Sequence, residues 1–355
     1  MTAPDVVVLG LGPAGRAVAH RAAAAGMVVR AFDPAPDARW RRTFGLWADE
    51  LPEWLPADVV AAVSTPQVIA RTRHDLRREY AMLDVDALQD AMTLDGVEVR
   101  TERAARAGHG AAFVIDARGP APSAPLDVPR QTAAGVLLPA GAHEELWMDW
   151  RPAPGVPDHA PASFLYAVRV SGDAVLLEET CLAGTPAVAV DELEVRLRAR
   201  LAARDIEAGA LYERVDFPLS SPGPRRGRGW CGIGARGTTL HPATGYSIAG
   251  SLAFADAAVA AVAAGRNPVT TDAVTAHRLR LAGLRALLTM PPVEQRAFFE
   301  VFFGLPDRHV RAFLSCWSGT TATAAAMAAA FAAAPWGLRR RLARGVTPPA
   351  SRRRR

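Results

Sequence analysis

The chain contains no lysine: all 41 of its basic residues are arginine. Together with abundant alanine, this points to a GC-rich coding sequence and not to a nucleic-acid-binding surface. Cysteine is scarce. Cys181, Cys231 and Cys316 are scattered and odd in number, so they offer neither a zinc spacing nor a disulfide framework, and a reduced, intracellular setting is expected. No run of 18 or more strongly apolar residues occurs, which argues against a spanning helix. The first apolar run lacks a basic flank and carries a glycine fingerprint, so it is not read as a signal peptide. No segment repeats at a fixed period. From Leu338 onward there is no acid at all, only eight arginines; without them the formal charge of +5 becomes −3. The basicity therefore belongs to a tail and not to the fold.

What is present is ample apolar material. Half of the 355 residues are hydrophobic, enough for two domains or one large α/β body. Asp5–Leu9 reads as a strand, Arg16–Ala25 as a helix ended by Gly26, and Met27–Phe32 as a second strand, a β-α-β unit that implies a parallel sheet. Residues 40–63, with Trp40, Phe44, Trp47 and Trp54, read as loop plus short helix. Residues 86–94 look helical and Ala111–Ala117 forms a strand. The Pro-rich stretches 120–129 and 151–161 mark loops. Two strands joined at Ser171-Gly172-Asp173 are expected over 163–182, and a helix with arginines along one face over 190–205. Gly229–Gly237 reads as a strand leading into a loop, Ser247–Ala264 as a small-residue helix, and 270–335 as helices throughout.

Gly10-Leu11-Gly12-Pro13-Ala14-Gly15 fits G-x-G-x-x-G between the first strand and its helix. The first glycine permits the tight turn, the second lets backbone approach a pyrophosphate, and the third lets helix meet strand. The helix N-terminus then faces the anion. Asp33, 23 residues after Gly10 at the end of the second strand, suits a ribose hydroxyl. The alternative is a tight turn with no ligand, but strand, helix and terminal acid together favour a nucleotide. The Gly-Pro-Ala-Gly form resembles FAD proteins of the two-dinucleotide-binding type. Val114-Ile115-Asp116-Ala117-Arg118-Gly119 resembles their D-A-T-G strand end, with Arg118 in place of a small residue. Residues 234–246 run into the helix at Ser247, whose N-terminus carries roughly half a positive charge and would favour an anionic reduced flavin. His241 and Pro242 would shape that loop, although His241 also reads as an ordinary loop histidine bonded to backbone.

Glu178 and Glu179 interrupt an otherwise buried strand, Ala-Val-Leu-Leu-Glu-Glu-Thr-Cys-Leu. A carboxylate in apolar surroundings is costly when ionised, so its pKa rises and it becomes a usable acid near neutral pH. Adjacent strand residues face opposite sides, so only one of the two can face a substrate. The other would be a support, a salt-bridge partner or a solvent group. Two strand-end glutamates paired to arginines is the competing reading.

These segments, in this order, resemble the flavoprotein type of lycopene cyclase over roughly residues 5–318. Beyond Gly10–Gly15 and Asp33, the likeness rests on Thr43-Phe44-Gly45-Leu46-Trp47 with Asp49-Glu50, Arg78–Asp84, Gln131-Thr132-Ala133-Ala134-Gly135, Met148-Asp149-Trp150-Arg151 and Ser163-Phe164-Leu165-Tyr166. Leu177-Glu178-Glu179-Thr180 and His241-Pro242-Ala243-Thr244-Gly245-Tyr246 are its most specific parts. Phe298-Phe299 and Phe302-Phe303 follow.

The resemblance implies an isomerase that closes the linear ψ-ends of lycopene into β-ionone rings. It implies reduced FAD that is not consumed, with NAD(P)H as the reductant. The first glutamate, Glu178, would be the acid, with Glu179 the first alternative. The cofactor set would be Gly10, Gly12, Pro13, Ala14, Gly15, Asp33, Asp116, Gly119, His241, Pro242, Thr244, Gly245 and Tyr246. Trp47, Trp147, Trp150, Tyr166 and Tyr246 are candidates for aromatic faces beside a cation, although residues of this kind are more often plain core than pocket. The expected fold is an α/β Rossmann-like FAD domain with an inserted β-rich substrate domain. Its parts are 1–120 with 213–268, then 121–212, C-terminal helices over 269–337, and a disordered basic tail over 338–355. A bilayer substrate implies a cytoplasmic enzyme peripherally attached to a membrane. Residues 320–334, Trp336 and the arginines suit an anionic surface, or equally a packed Ala-rich helix with a solubilising tail. A flavin oxidoreductase of isoprenoids and a non-catalytic carotenoid-binding protein are the competing functions.

Overall fold

The computed structural model describes residues 3–105, 110–119, 128–220 and 225–346. In chain order the first elements are β1 (Val6–Leu9), α1 (Pro13–Ala24), β2 (Val29–Phe32), β3 (Gly45–Trp47), β4 (Val60–Ser64), β5 (Gln67–Ile69), β6 (Arg73–Asp75) and β7 (Tyr80–Leu83). Then come α2 (Val85–Ala91), β8 (Val97–Arg100), β9 (Phe113–Asp116), β10 (Arg130–Pro139), β11 (Leu146–Asp149), β12 (Phe164–Arg169), β13 (Ala174–Gly184) and α3 (Val190–Ala202). The chain continues through β14 (Glu213–Pro218), β15 (Arg226–Gly227), β16 (Trp230–Gly232) and the helices α4 (Ile248–Ala263), α5 (Thr271–Leu288), α6 (Pro292–Phe303), α7 (Asp307–Leu314), α8 (Thr320–Ala333) and α9 (Trp336–Val346).

The first sheet runs β15-β16-β9-β1-β2-β8, parallel except at its β15 edge. Strand alternation sends Val6 and Val8 into a core shared with α1 and α4, and Val7 and Leu9 into a second layer with Phe32 and Val114. Leu9 is level with Phe32 and Asp116, so Gly10, Asp33 and Ala117 emerge together at the carboxyl ends of the strands, where open α/β sheets bind ligands.

The second sheet, β14-β10-β13-β12-β11-β5-β6, is antiparallel apart from the β11–β5 pair. One face packs on α3 through Leu165, Leu177, Leu197 and Leu201, and the other packs on the C-terminal helices through Phe164, Leu176, Phe299 and Phe302. A small sheet, β3-β7-β4, adds a wall at the junction.

Several expectations change. Residues 40–63 hold two short strands as well as helical turns. The second sheet does not follow the expected boundaries: it recruits Gln67–Ile69 and Arg73–Asp75 from upstream, and Glu213–Pro218 pairs with β10 instead of returning to the nucleotide sheet. The basic tail is not disordered at its start. Leu338 is buried and Leu342 packs beside it, because α9 lies along α5 with Gly345 against Ala286. Residues 120–127 of the Pro-rich loop and 347–355 of the tail lie outside the described residues.

Candidate functional site

The glycine fingerprint has the expected division of roles. Gly10 takes φ +90°, and a Cβ there would lie 2.9 Å from the Ala117 carbonyl oxygen. A Cβ on Gly15 would lie 1.9 Å from the Gly10 oxygen, so this contact holds helix against turn. Gly12 is different: nothing lies within 4 Å of its would-be Cβ. It caps α1 without any side-chain bond, and the first turn carries no acid, so a positive helix end faces open space. Asp33 accepts backbone N–H bonds from Leu11 (2.7 Å) and Ala35 (2.8 Å), which fixes the turn, and its lone pairs are not exhausted by these two. This cradle fits a dinucleotide pyrophosphate.

Two of the expected cofactor residues, Asp116 and Gly119, are engaged with arginines of the frame. Asp116 is buried and gripped by Arg118 (2.8 Å) and Arg236 (3.3 Å). Burial raises its pKa, but those cations outweigh burial and hold it below the usual carboxylate range. Arg236 also donates to the Gly119 carbonyl (2.7 Å). Asp116, Arg118 and Gly119 thus tie a strand end to the following loop.

His241 is likewise internal. It is fully buried, its Nε2 bonds the Phe313 carbonyl (2.8 Å), and its Nδ1 accepts from the Ala243 N–H (3.3 Å). Burial and Arg280 lower its pKa to about 3, so the ring is neutral. Its role is to hold the loop that carries Pro242, Thr244, Gly245 and Tyr246, which is closed by Gly245 N–H on the His241 oxygen (2.9 Å) and by His241 N–H on the Tyr246 oxygen (2.7 Å). Gln131 donates to the Thr244 carbonyl (3.3 Å) from the second sheet.

Between the two sheets lies a cavity of about 540 Å³. Pro13 from the nucleotide turn, Ser247 and Ile248 at the open N-terminus of α4, and Glu178 of β13 all line it. Alternation along β13 decides which glutamate that is. Leu176, Glu178 and Thr180 face one way; Leu177 and Glu179 face α3. Glu179 is 0% exposed, bonded to Arg200 (2.6 Å) and to Ser163 (2.5 Å), with Arg196 behind Ser163 (3.0 Å). Two of the α3 arginines therefore point inward, and Glu179 has no access to the cavity. Glu178 keeps one bond, from the Thr180 hydroxyl (2.6 Å). Removal from bulk water, aided by the like charge of Glu213, raises its pKa to about 8 against the opposing pull of Thr180 and Arg42.

An aromatic wall lines the same cavity, beginning beside Glu178 with Tyr166, its register partner on β12. Trp147 Nε1–H donates to the Tyr246 hydroxyl (2.9 Å), which bonds Tyr80 (2.9 Å), and Tyr166 donates to Tyr80 (3.2 Å). Three of the chain's four tyrosines meet here. Burial raises the pKa of each, so the phenols are neutral. Trp147 stacks parallel to Tyr246 at 6.0 Å. Trp47 and Trp150 are not on this wall. Trp47 packs behind Tyr80 and Trp147 under Arg78, while Trp150 stacks on Phe299 at 4.1 Å. The sequence reading missed Tyr80, Met82, Phe44 and Glu213 as lining residues. Tyr80 was within reach, since it sits in a motif already singled out.

A second, apolar cavity of about 360 Å³ runs among α5, α6, α8 and α9 and shares Trp147, Met148, Leu182 and Thr244 with the first. Its outer lining includes Phe331 and Ala343, both exposed.

A family model described as "Lycopene cyclase protein" matches residues 5–336. The chain belongs to the lycopene cyclase family. It is 33% identical over 360 residues to a protein of Deinococcus radiodurans named an uncharacterized carotenoid cyclase, with 87% of this chain and 85% of that protein covered. It is 27% identical over 395 residues to lycopene beta cyclase of Synechococcus elongatus, covering 94% and 95%. Among solved structures it is similar to a geranylgeranyl bacteriochlorophyll reductase-like protein of Thermoplasma acidophilum (TM-score 0.61, 14% identity, 92% and 96% covered). Another is an anhydrotetracycline hydroxylase of Streptomyces rimosus (TM-score 0.54, 15% identity, 92% and 75% covered). These structural likenesses speak for the fold alone, an α/β FAD-dependent oxidoreductase-like architecture. Among the described residues no helix is long and apolar enough to cross a membrane.

Proposed function

We propose that this member of the family is a lycopene β-cyclase, closing the ψ-ends of lycopene to β-ionone rings by acid catalysis without net redox change. The observation that carries this reading is the placement of Glu178: a carboxyl group with a pKa near 8, on a cavity wall between a nucleotide turn and a ring of aromatic side chains. At neutral pH it holds a proton that it can give to an alkene carbon, which offers no other handle. Glu178 delivers that proton, and the tertiary cation lies against Trp147 and the neutral tyrosines, whose faces each contribute about 0.5–2 kcal/mol of cation–π attraction. FAD, reduced by NAD(P)H, would supply a negative charge beside the cation and would not be consumed. Gly12, Asp33 and the N-terminus of α4 are the groups that would hold it, the last favouring an anionic ring. The apolar cavity among the C-terminal helices would take the rest of the polyene and keep water out.

Docking of the outer helices on an anionic membrane is part of the proposal. Trp336 is 71% exposed, Phe331 is exposed beside the cavity with Arg339 over its ring, and further arginines follow on α9. Cosedimentation with anionic vesicles, reduced in an F331S/W336A variant, tests it.

Expression in a lycopene-accumulating bacterial host should yield cyclic carotenes by chromatography, and Glu178→Gln should yield none while retaining FAD. Unchanged lycopene beside FAD-bound wild-type protein would sink the reading. Stoichiometric consumption of NAD(P)H with substrate would identify an isoprenoid oxidoreductase instead. Pigment bound but unconverted, with reduced flavin supplied, would identify a carrier.

A further inference from the structure

An acid that gives a proton to the substrate solves half of a redox-neutral ring closure, because another proton must leave. The second sheet presents one further carboxyl group to the same cavity. Gly135 of β10 is paired with Glu178 of β13 on one side and with Glu213 of β14 on the other. Directly opposed residues on neighbouring strands point to the same face. The lining from these three strands continues in this register: Thr180, Ala133 and Val215 form the next rung on the same side. The middle position of the carboxyl rung has no side chain. A Cβ on Gly135 would stand 3.5 Å from the Cβ and Cγ of Glu178 and 3.1 Å from Leu176, so glycine leaves a slot between two glutamates.

We infer that Glu213 is the base that receives the departing proton, making Glu178 and Glu213 an acid and base pair across the Gly135 slot. The assignment rests on the cyclase reading above. The environments of the two carboxyl groups differ in the required sense. Glu178 has only the Thr180 hydroxyl, and its pKa stands at about 8. Burial raises Glu213 as well, but the Thr43 hydroxyl donates to it, and the Thr43 backbone and Arg42 also favour its ionised form. Glu213 and Arg42 are the charged groups that act on Glu178, and Arg42 acts on Glu213, with the neutral phenols of Tyr80, Tyr166 and Tyr246 facing Glu178. Burial acts on both, but Glu213 receives both the hydroxyl and the backbone of Thr43 where Glu178 has the Thr180 hydroxyl alone, an asymmetry by which two carboxyl groups can divide acid and base work.

The step balances. The Glu178 O–H bond breaks and a C–H bond forms at one alkene carbon. The ring C–C bond forms on the cation. A ring C–H bond then breaks, its electron pair becomes the ring double bond, and its proton passes to the Glu213 carboxylate. No electron is gained or lost by the substrate. Loss of the proton from Glu213 and its regain by Glu178 restore the starting state.

The test uses full-length protein with reduced FAD and lycopene in vesicles, and follows ring formation from pH 5 to 9 for wild type, E213Q and E213D. The amide of E213Q can still accept from Thr43, so FAD content should hold while turnover falls about 100-fold or more. E213D should recover part of the rate with a displaced acid limb. If E213Q turns over at the wild-type rate and only its alkaline limb moves to lower pH, Glu213 merely tunes Glu178 by charge and the assignment is overturned. Should E213Q fail to hold FAD, the E213D profile decides: a displaced acid limb sustains the assignment and an unchanged one overturns it. Wild-type protein that forms no ring fails the cyclase reading, and this assignment with it.

Discussion

Replacing Glu178 with glutamine should move catalysis and stability in opposite directions. In the unfolded chain this carboxyl ionises near 4.5; in the fold it does so at about 8. Below pH 4.5 both states hold the proton and nothing is lost. As pH rises from 4.5 to 8 the unfolded chain ionises freely while the folded carboxyl resists, so stability falls, and above 8 the loss levels off. At about 1.36 kcal/mol for each tenfold change, the ceiling is about 5 kcal/mol. Water in the cavity screens part of that penalty, leaving about 2–5 kcal/mol. Glutamine has no proton to lose and escapes the penalty. Urea denaturation of both proteins, without added flavin, should therefore show the Glu178→Gln variant gaining about 2–5 kcal/mol on wild type between pH 5 and pH 9. Differences in the other titrating groups largely cancel in that comparison, although Glu213 is coupled to this site. If the gap at pH 9 matches that at pH 5 within about 0.5 kcal/mol, Glu178 is not desolvated and its proposed acidity has no physical basis.

Glu179→Ala should behave in the opposite way, losing about 3–5 kcal/mol in urea titrations because Arg200 is left buried without its carboxylate. Product formed per FAD-bound molecule should stay near wild type, and joint replacement of Glu179 and Arg200 by leucine and methionine should recover most of the stability. Gly12→Ala and Gly15→Ala should also diverge. The first has room to fold and should lower FAD affinity by more than about tenfold, read by flavin fluorescence titration. The second forces a methyl group onto the Gly10 carbonyl and should show a lowered melting temperature even without flavin.

The parts of the molecule that were readable from sequence are those with local rules. The β1-α1-β2 unit follows from the glycine pattern and the alternation around it, and the β12–β13 hairpin from its Ser-Gly-Asp turn. Alternation also said that only one of Glu178 and Glu179 could face a substrate, without saying which, because that depends on what covers each side of the sheet. Glu213 was invisible for the same reason: its neighbour is Gly135, 78 positions earlier, and only a long-range register brings it to Glu178. Trp47 and Trp150 sit in telling motifs yet pack behind the cavity, since an aromatic residue near a motif carries no sign of its direction. The start of the tail was misjudged because its charge was read and its leucines were not. Leu338 and Leu342 are one turn apart on α9 and cover the same core.

Strand β13 is a party wall between two rooms with different tenants. Its even-numbered positions from Glu178 to Leu182 belong to the reactive room, and Leu177, Glu179 and Cys181 belong to the frame. Deleting a single residue ahead of Leu176 would hand the buried arginine clamp's carboxylate to the cavity and drive Glu178 into α3. Substitutions meant to reshape which end group fits should therefore be confined to the even positions other than Glu178, where they can be tried without disturbing the timbers behind.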